Sequence, residues 1–131
     1  MSTKSKGTRA ERELFHMFWD NDWYCLRTAG SGSTAMPAPD LIAGKHGRLL
    51  VLECKSGSGD YRYLTKKEVK ELIDFAVAFK AEPWIGARFD REGWFFVRAE
   101  ELKSSGENFV VHIEDAKKRC KSFEDLIKKL S

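Results

Sequence analysis

Asp40, Glu53 and Lys55 are the residues of this chain whose types and spacing suggest chemistry. Glu53 and Lys55 close an otherwise apolar run, Leu49-Leu50-Val51-Leu52-Glu53-Cys54-Lys55. Alternate side chains of a strand share a face, so this acid and amine project together, while Leu50, Leu52 and Cys54 face the other way. His46-Gly47 reads as a two-residue hairpin turn. Counting outward from a Lys45–Arg48 pair places Asp40 opposite Glu53, with Cβ atoms roughly 4.5–5.5 Å apart. Two carboxylates so close repel unless a proton or a cation lies between them. Hard oxygen ligands suit Mg²⁺, for which Mn²⁺ is the expected substitute, and the backbone carbonyl of Cys54 offers a further oxygen. A metal there would polarise a phosphate and acidify a bound water. Lys55 could orient that water, help deprotonate it or stabilise charge on the phosphorane; the sequence leaves these open.

Several elements must bring these residues together. Thr8-x-x-Glu11 has the spacing of a capping box opening a helix. Ala10, Leu14, Met17 and Phe18 follow at helical spacing as a core stripe, with Glu13 on its edge and Arg9, Arg12 and His16 further round. Asn21-Asp22 ends the helix. Residues 23–28 read as a strand, 29–39 as a Gly/Ser/Pro loop, and 40–43 and 48–55 as the hairpin carrying the acids. Thr65-x-x-Glu68 is a second capping box, opening a helix over 65–80 in which Phe75 and Phe79 widen the apolar arc beyond one core face. Residues 83–89 and 94–98 form a strand pair, 109–113 a further strand, and Ser122 caps a last helix. This order predicts an α/β fold, a mixed sheet flanked by helices.

The chain has 131 residues, 42% of them hydrophobic, which predicts one folded domain over 1–131 with residues 1–7 as a flexible basic tail. No apolar run is long enough to cross a membrane, so no membrane association is expected. The basic, polar start lacks the apolar stretch of a secretory signal, which makes the cytoplasm the expected location. Cys25, Cys54 and Cys120 are widely spaced, which argues against a structural zinc site and for reduced thiols. The net charge is only +3. Its distribution is more informative: Lys4, Lys6, Arg9 and Arg12 crowd the start, and Arg27, Lys45, Arg48, Lys55 and Arg62 surround the acids, as a site acting on a polyanion requires.

Pro39-Asp40…Glu53-Cys54-Lys55 resembles the PD-(D/E)xK nuclease motif. More specifically, from about Gly7 to Val97 the chain resembles the archaeal Holliday junction resolvases of the Hjc type. The resemblance rests on Arg9 and Glu13, Arg27, Ser31-Gly32, Pro39-Asp40-Leu41, Leu52-Glu53-Cys54-Lys55, and a helix ending Asp74-Phe75-Ala76-Val77-Ala78-Phe79. It implies a restriction-endonuclease-like fold and a symmetric homodimer that nicks two strands of four-way junction DNA, with one Mg²⁺-dependent site per subunit. By position, Asp40 and Glu53 would be metal ligands, Lys55 the catalytic lysine, and Glu13 a further member of the metal site. Arg9 and Arg27 would contact phosphates, and Ser31 and Ser33 would approach the DNA backbone near the cut, Ser33 assisting cleavage. The extra aromatics Phe75 and Phe79 would serve the subunit contact. The competing readings are a small restriction- or repair-type nuclease on duplex DNA, and a non-catalytic DNA-binding protein. The segment after about Arg98, and Lys66-Lys67, have no counterpart in the resemblance.

Overall fold

The computed structural model describes residues 3–28 and 36–128, with side chains from residue 7 onward. Helix α1 (Thr3–Asp20) buries Ala10, Leu14 and Phe18. It begins at Thr3, so Thr8 and Glu11 lie inside it, and the capping box expected there is overturned. A Thr-x-x-Glu spacing also fits a helix interior, where i and i+3 share a face, and Gly7 weakens a helix without ending it.

Strand β1 (Tyr24–Arg27) pairs antiparallel with β2 (Leu41–Lys45), and β2 with β3 (Arg48–Gly57). The turn between β2 and β3 holds His46 and Gly47 at positive φ, 53° and 78°, the geometry of a two-residue hairpin, and Lys45 pairs with Arg48 as expected. Strand β4 (Tyr61–Thr65) leads into α2 (Lys66–Phe79), which opens on the expected capping box of Thr65 and Glu68. Strand β5 (Glu82–Phe89) returns parallel to β3 and turns into antiparallel β6 (Gly93–Arg98).

The resulting sheet has the order β1-β2-β3-β5-β6. Its alternating residues feed two layers. Leu50, Leu52 and Trp84 pack with Leu14 and Phe18 of α1, while Val51 and Ile85 pack with Val69, Leu72 and Ala76 of α2. This is the mixed sheet flanked by helices that the element order predicts.

A second, three-stranded sheet escapes the sequence pattern. It has the order β4-β8-β7, with β7 (Lys103–Ser105) and β8 (Asn108–His112). Its inner face buries Leu64 against α2, and Val111 against Ala87 and Phe89. Helix α3 (Ile113–Arg119) and the Ser122-capped α4 (Phe123–Ile127) complete the chain's described part, and Phe123 and Leu126 join the core beneath α1.

Arg62 departs from the basic surface expected around the acids. It is buried and donates to the carbonyls of Gly57, Ser58, Gly59, Tyr61 and Arg88, with its guanidinium 4.4 Å from the Phe89 ring centre. The alternation of β4 turns it inward.

Candidate active site

The sheet brings Asp40, Glu53 and Lys55 together at the point where β2 and β3 part. Asp40 is fixed three ways. Its N–H donates to the Leu52 carbonyl (2.9 Å), its carbonyl accepts from Thr28 N (3.0 Å), and its Oδ2 accepts from Cys54 N (2.8 Å). The β2–β3 ladder ends at Leu41–Leu52, one step short of an Asp40–Glu53 pair. The side-chain bond to Cys54 N still carries the Asp40 carboxylate to the backbone beside Glu53. Both acids line a cleft of about 200 Å³ with Pro37, Pro39, Glu68 and Glu71.

This pocket is electrostatically costly. Burial, together with the charges of Glu11 and Glu68, pushes the Asp40 carboxyl up to about 6 against the pull of Cys54 N and Lys55. Burial, then repulsion from Asp40, pushes Glu53 up to about 8. Two adjacent acids that burial and neighbouring carboxylates push toward protonation are suited to a divalent cation. Among the described residues no three His, Cys, Asp or Glu side chains converge as a ready-made metal cage. A cation here would rest on two carboxylates, backbone oxygen and water, the pattern Mg²⁺ favours.

Lys55 reaches across to α2, where its Nζ lies 2.6 Å from Glu68 Oε2. The other oxygen of Glu68, Oε1, accepts from Thr65 N (2.9 Å) as the capping box requires. Glu68 therefore both caps α2 and aims the lysine. Burial favours the neutral amine, but Glu68, Glu53 and Asp40 outweigh it and raise the pKa of Lys55. The capping role of Glu68 is legible in the sequence; its hold on Lys55 is not.

Glu13 is not brought to this cleft. Its Oε1 accepts from Arg88 Nε (2.8 Å) and Trp94 Nε1 (2.6 Å), beside a separate cleft of about 220 Å³ lined by Arg9, Ala10, Ser56 and Arg88. Burial of Glu13 is overcome by these bonds, which hold its carboxyl below the usual range. The acid of α1 on the active-site side is Glu11. Its charge raises both Asp40 and Glu53, and Arg27 Nε holds it at 3.2 Å. The two glutamates flank the core stripe on opposite edges: two residues turn a helix by about 200°, so one faces β1 and β2 and the other β5 and β6. The sequence places Glu13 on the edge of the core stripe, and only the packing of α1 shows that this edge faces Arg88 and Trp94 rather than the cleft. Ser31 and Ser33 lie outside the described residues.

The model of the archaeal Holliday junction resolvase family, Hjc, matches residues 2–131. The chain belongs to this family. Among its resolvase relatives, the crossover junction endodeoxyribonuclease Hjc of Archaeoglobus fulgidus is 36% identical over 108 residues, covering 82% of this chain and 79% of that protein. The Hjc of Sulfolobus acidocaldarius is 30% identical over 131 residues, covering 98% and 90%. The solved structure of the Archaeoglobus fulgidus resolvase superposes with a TM-score of 0.82 at 29% identity, over 92% of this chain and 94% of that one. The bacterial homing endonuclease I-Ssp6803I shares the fold at a TM-score of 0.57 and 18% identity, over 91% and 82%. The resolvase resemblance, the restriction-endonuclease-like fold and the endonuclease activity expected from sequence are thereby borne out. The match also extends past Arg98, beyond the reach of the sequence motifs.

Proposed function

We propose that this Hjc-family chain resolves four-way DNA junctions by paired, Mg²⁺-dependent nicks made in a symmetric homodimer. The observation that carries the reading is the half-buried Asp40–Glu53 pair, with Lys55 held beside it by Glu68. Asp40, Glu53 and the Cys54 carbonyl are the oxygens that would hold the cation. Bound there, Mg²⁺ supplies charge that polarises a phosphoryl oxygen and lowers the pKa of water. The ion pair with Glu68 keeps Lys55 an ammonium, so its part is to place positive charge on the scissile phosphate rather than to remove a proton. Arg27, paired with Glu11 at 3.2 Å, and Arg9, lining the cleft beside Glu13, would extend the phosphate track. Ser31 and Ser33 would approach the cut, with Ser33 assisting it.

The homodimer reading draws on the α2 face. Phe75 and Phe79 stack with centroids 4.4 Å apart, Phe79 is 49% exposed and Val77 is 73% exposed. On the edge strand β1, Tyr24 and Leu26 are also exposed. Such an apolar surface suits a second copy, whose two-fold symmetry matches the pseudo-symmetry of a junction. No helix among the described residues is long and apolar enough to cross a membrane. Work on cellular DNA would put the protein in the cytoplasm.

Cleavage of a labelled four-way junction and of its linear duplex arms, with Mg²⁺ or with a chelator, tests the function. Junction cutting that needs the metal is expected. Equal cutting of the duplex arms would leave a nuclease but remove the resolvase. Sedimentation of Phe79→Glu, expected to shift from dimer to monomer, tests the assembly.

A further inference from the structure

Strand β4 is tied to the active site at both ends. It leaves β3 just beyond Lys55, through the turn 58–60, and it finishes at Thr65, the cap of α2, whose Glu68 holds that lysine. Alternation turns Arg62 and Leu64 inward and Tyr61 and Tyr63 outward. The two tyrosines are 52% and 53% exposed, and their rings lie within 12° of parallel with centroids 5.9 Å apart. His112, the β8 partner of Tyr61, adds a third ring at 4.5 Å. Lys66 and Lys67 follow within one turn of chain. Both are exposed, and among the described residues neither makes an ion pair within 4.0 Å.

Flat aromatic faces beside unpaired lysines match the chemistry of a nucleic-acid strand with unstacked bases: rings for the bases, ammonium groups for the phosphates. A protein partner would be better served by an apolar patch without this basic margin. A branch point supplies bases whose stacking is interrupted, and it lies next to the bonds a resolvase cuts. We infer that Tyr61 and Tyr63, with Lys66 and Lys67, form a stacking platform that receives an unstacked base of the DNA strand leaving the cleavage site. The inference rests on the proposed action at branched DNA. On this reading the tyrosines of the second sheet select a branch over a continuous duplex, and the lysine pair adds phosphate affinity on either substrate.

The test compares the full-length wild type with Tyr61→Ala/Tyr63→Ala and Tyr61→Phe/Tyr63→Phe, binding a four-way junction and a linear duplex in chelator at fixed salt. Both tyrosines are surface groups, and thermal melting checks that each variant folds. Losing stacking should weaken junction binding by about tenfold while duplex binding changes by under about twofold, and the phenylalanine variant should keep wild-type affinity. Lys66→Ala/Lys67→Ala should weaken both substrates and flatten the salt dependence. Unchanged junction binding by the alanine variant, or an equal loss on junction and duplex, would overturn the platform. The first of these results would leave the tyrosines as a protein-docking face. A wild type that binds junction and duplex equally would instead overturn the resolvase reading, and the platform with it.

Discussion

Replacing Glu53 with its uncharged isostere should stabilise the metal-free protein near neutral pH while removing its response to Mg²⁺. The reason is the cost of keeping this carboxylate where it is. Burial and the neighbouring Asp40 push its pKa up to about 8, against an ordinary 4.5. A group whose pKa rises on folding favours the fold only while it is protonated, so the penalty is absent at low pH and grows as pH climbs toward the raised value. With these values the penalty is about 3 kcal/mol near pH 7 and under about 1 kcal/mol near pH 5. Glutamine escapes it but buries an amide, at about 1–2 kcal/mol at either pH. Glu53→Gln should therefore melt a few degrees above wild type near pH 7 in chelator, and no higher than wild type near pH 5. Saturating Mg²⁺ should reverse the order at the higher pH, because only the wild type gains from binding. Calorimetric scans at the two pH values, with and without metal, read all of this. An equal shift of the variant at both pH values would refute the electrostatic reasoning.

Glu68→Gln keeps the bond to Thr65 N but breaks the ion pair, so single-turnover cleavage should slow by about tenfold or more while stability changes by under about 1 kcal/mol; an unchanged rate would mean Lys55 needs no aiming. Glu11→Gln should reduce cleavage far more than Glu13→Gln, measured at saturating Mg²⁺, and the reverse ranking would restore Glu13 to the site. Arg62→Met should lower stability in denaturant titrations by about 3 kcal/mol or more, because the carbonyls of Gly57, Ser58, Gly59, Tyr61 and Arg88 lose a buried donor. A loss under about 1 kcal/mol would show that water replaces the guanidinium.

The central acids are visible in the sequence because strand alternation and a two-residue turn are strict geometric rules. Once Lys45 pairs with Arg48, the positions of Asp40, Glu53 and Lys55 follow almost entirely. The α2 helix is equally plain, since its capping box, apolar stripe and length agree. The second sheet is not, for physical reasons. β7 is the polar tripeptide Lys-Ser-Ser, held by backbone pairing to β8, which no side-chain period announces. The inward charge of Arg62 breaks the alternation that would mark β4 as a half-buried strand. That Glu11 faces β1 and β2 while Glu13 meets Arg88 and Trp94 is not legible in the sequence, because only the packing of α1 on the sheet distinguishes the two edges of its apolar stripe. Glu68 shows how one carboxylate can satisfy a local pattern with one oxygen and serve a distant residue with the other.

Crystals soaked in Mn²⁺ and measured at the manganese absorption edge test the metal site, on which the proposed chemistry depends. An anomalous peak bridging the carboxylates of Asp40 and Glu53 is expected, and it should be lost in Asp40→Asn. Anomalous density at another place on the protein, with none between these two side chains, would contradict the assignment.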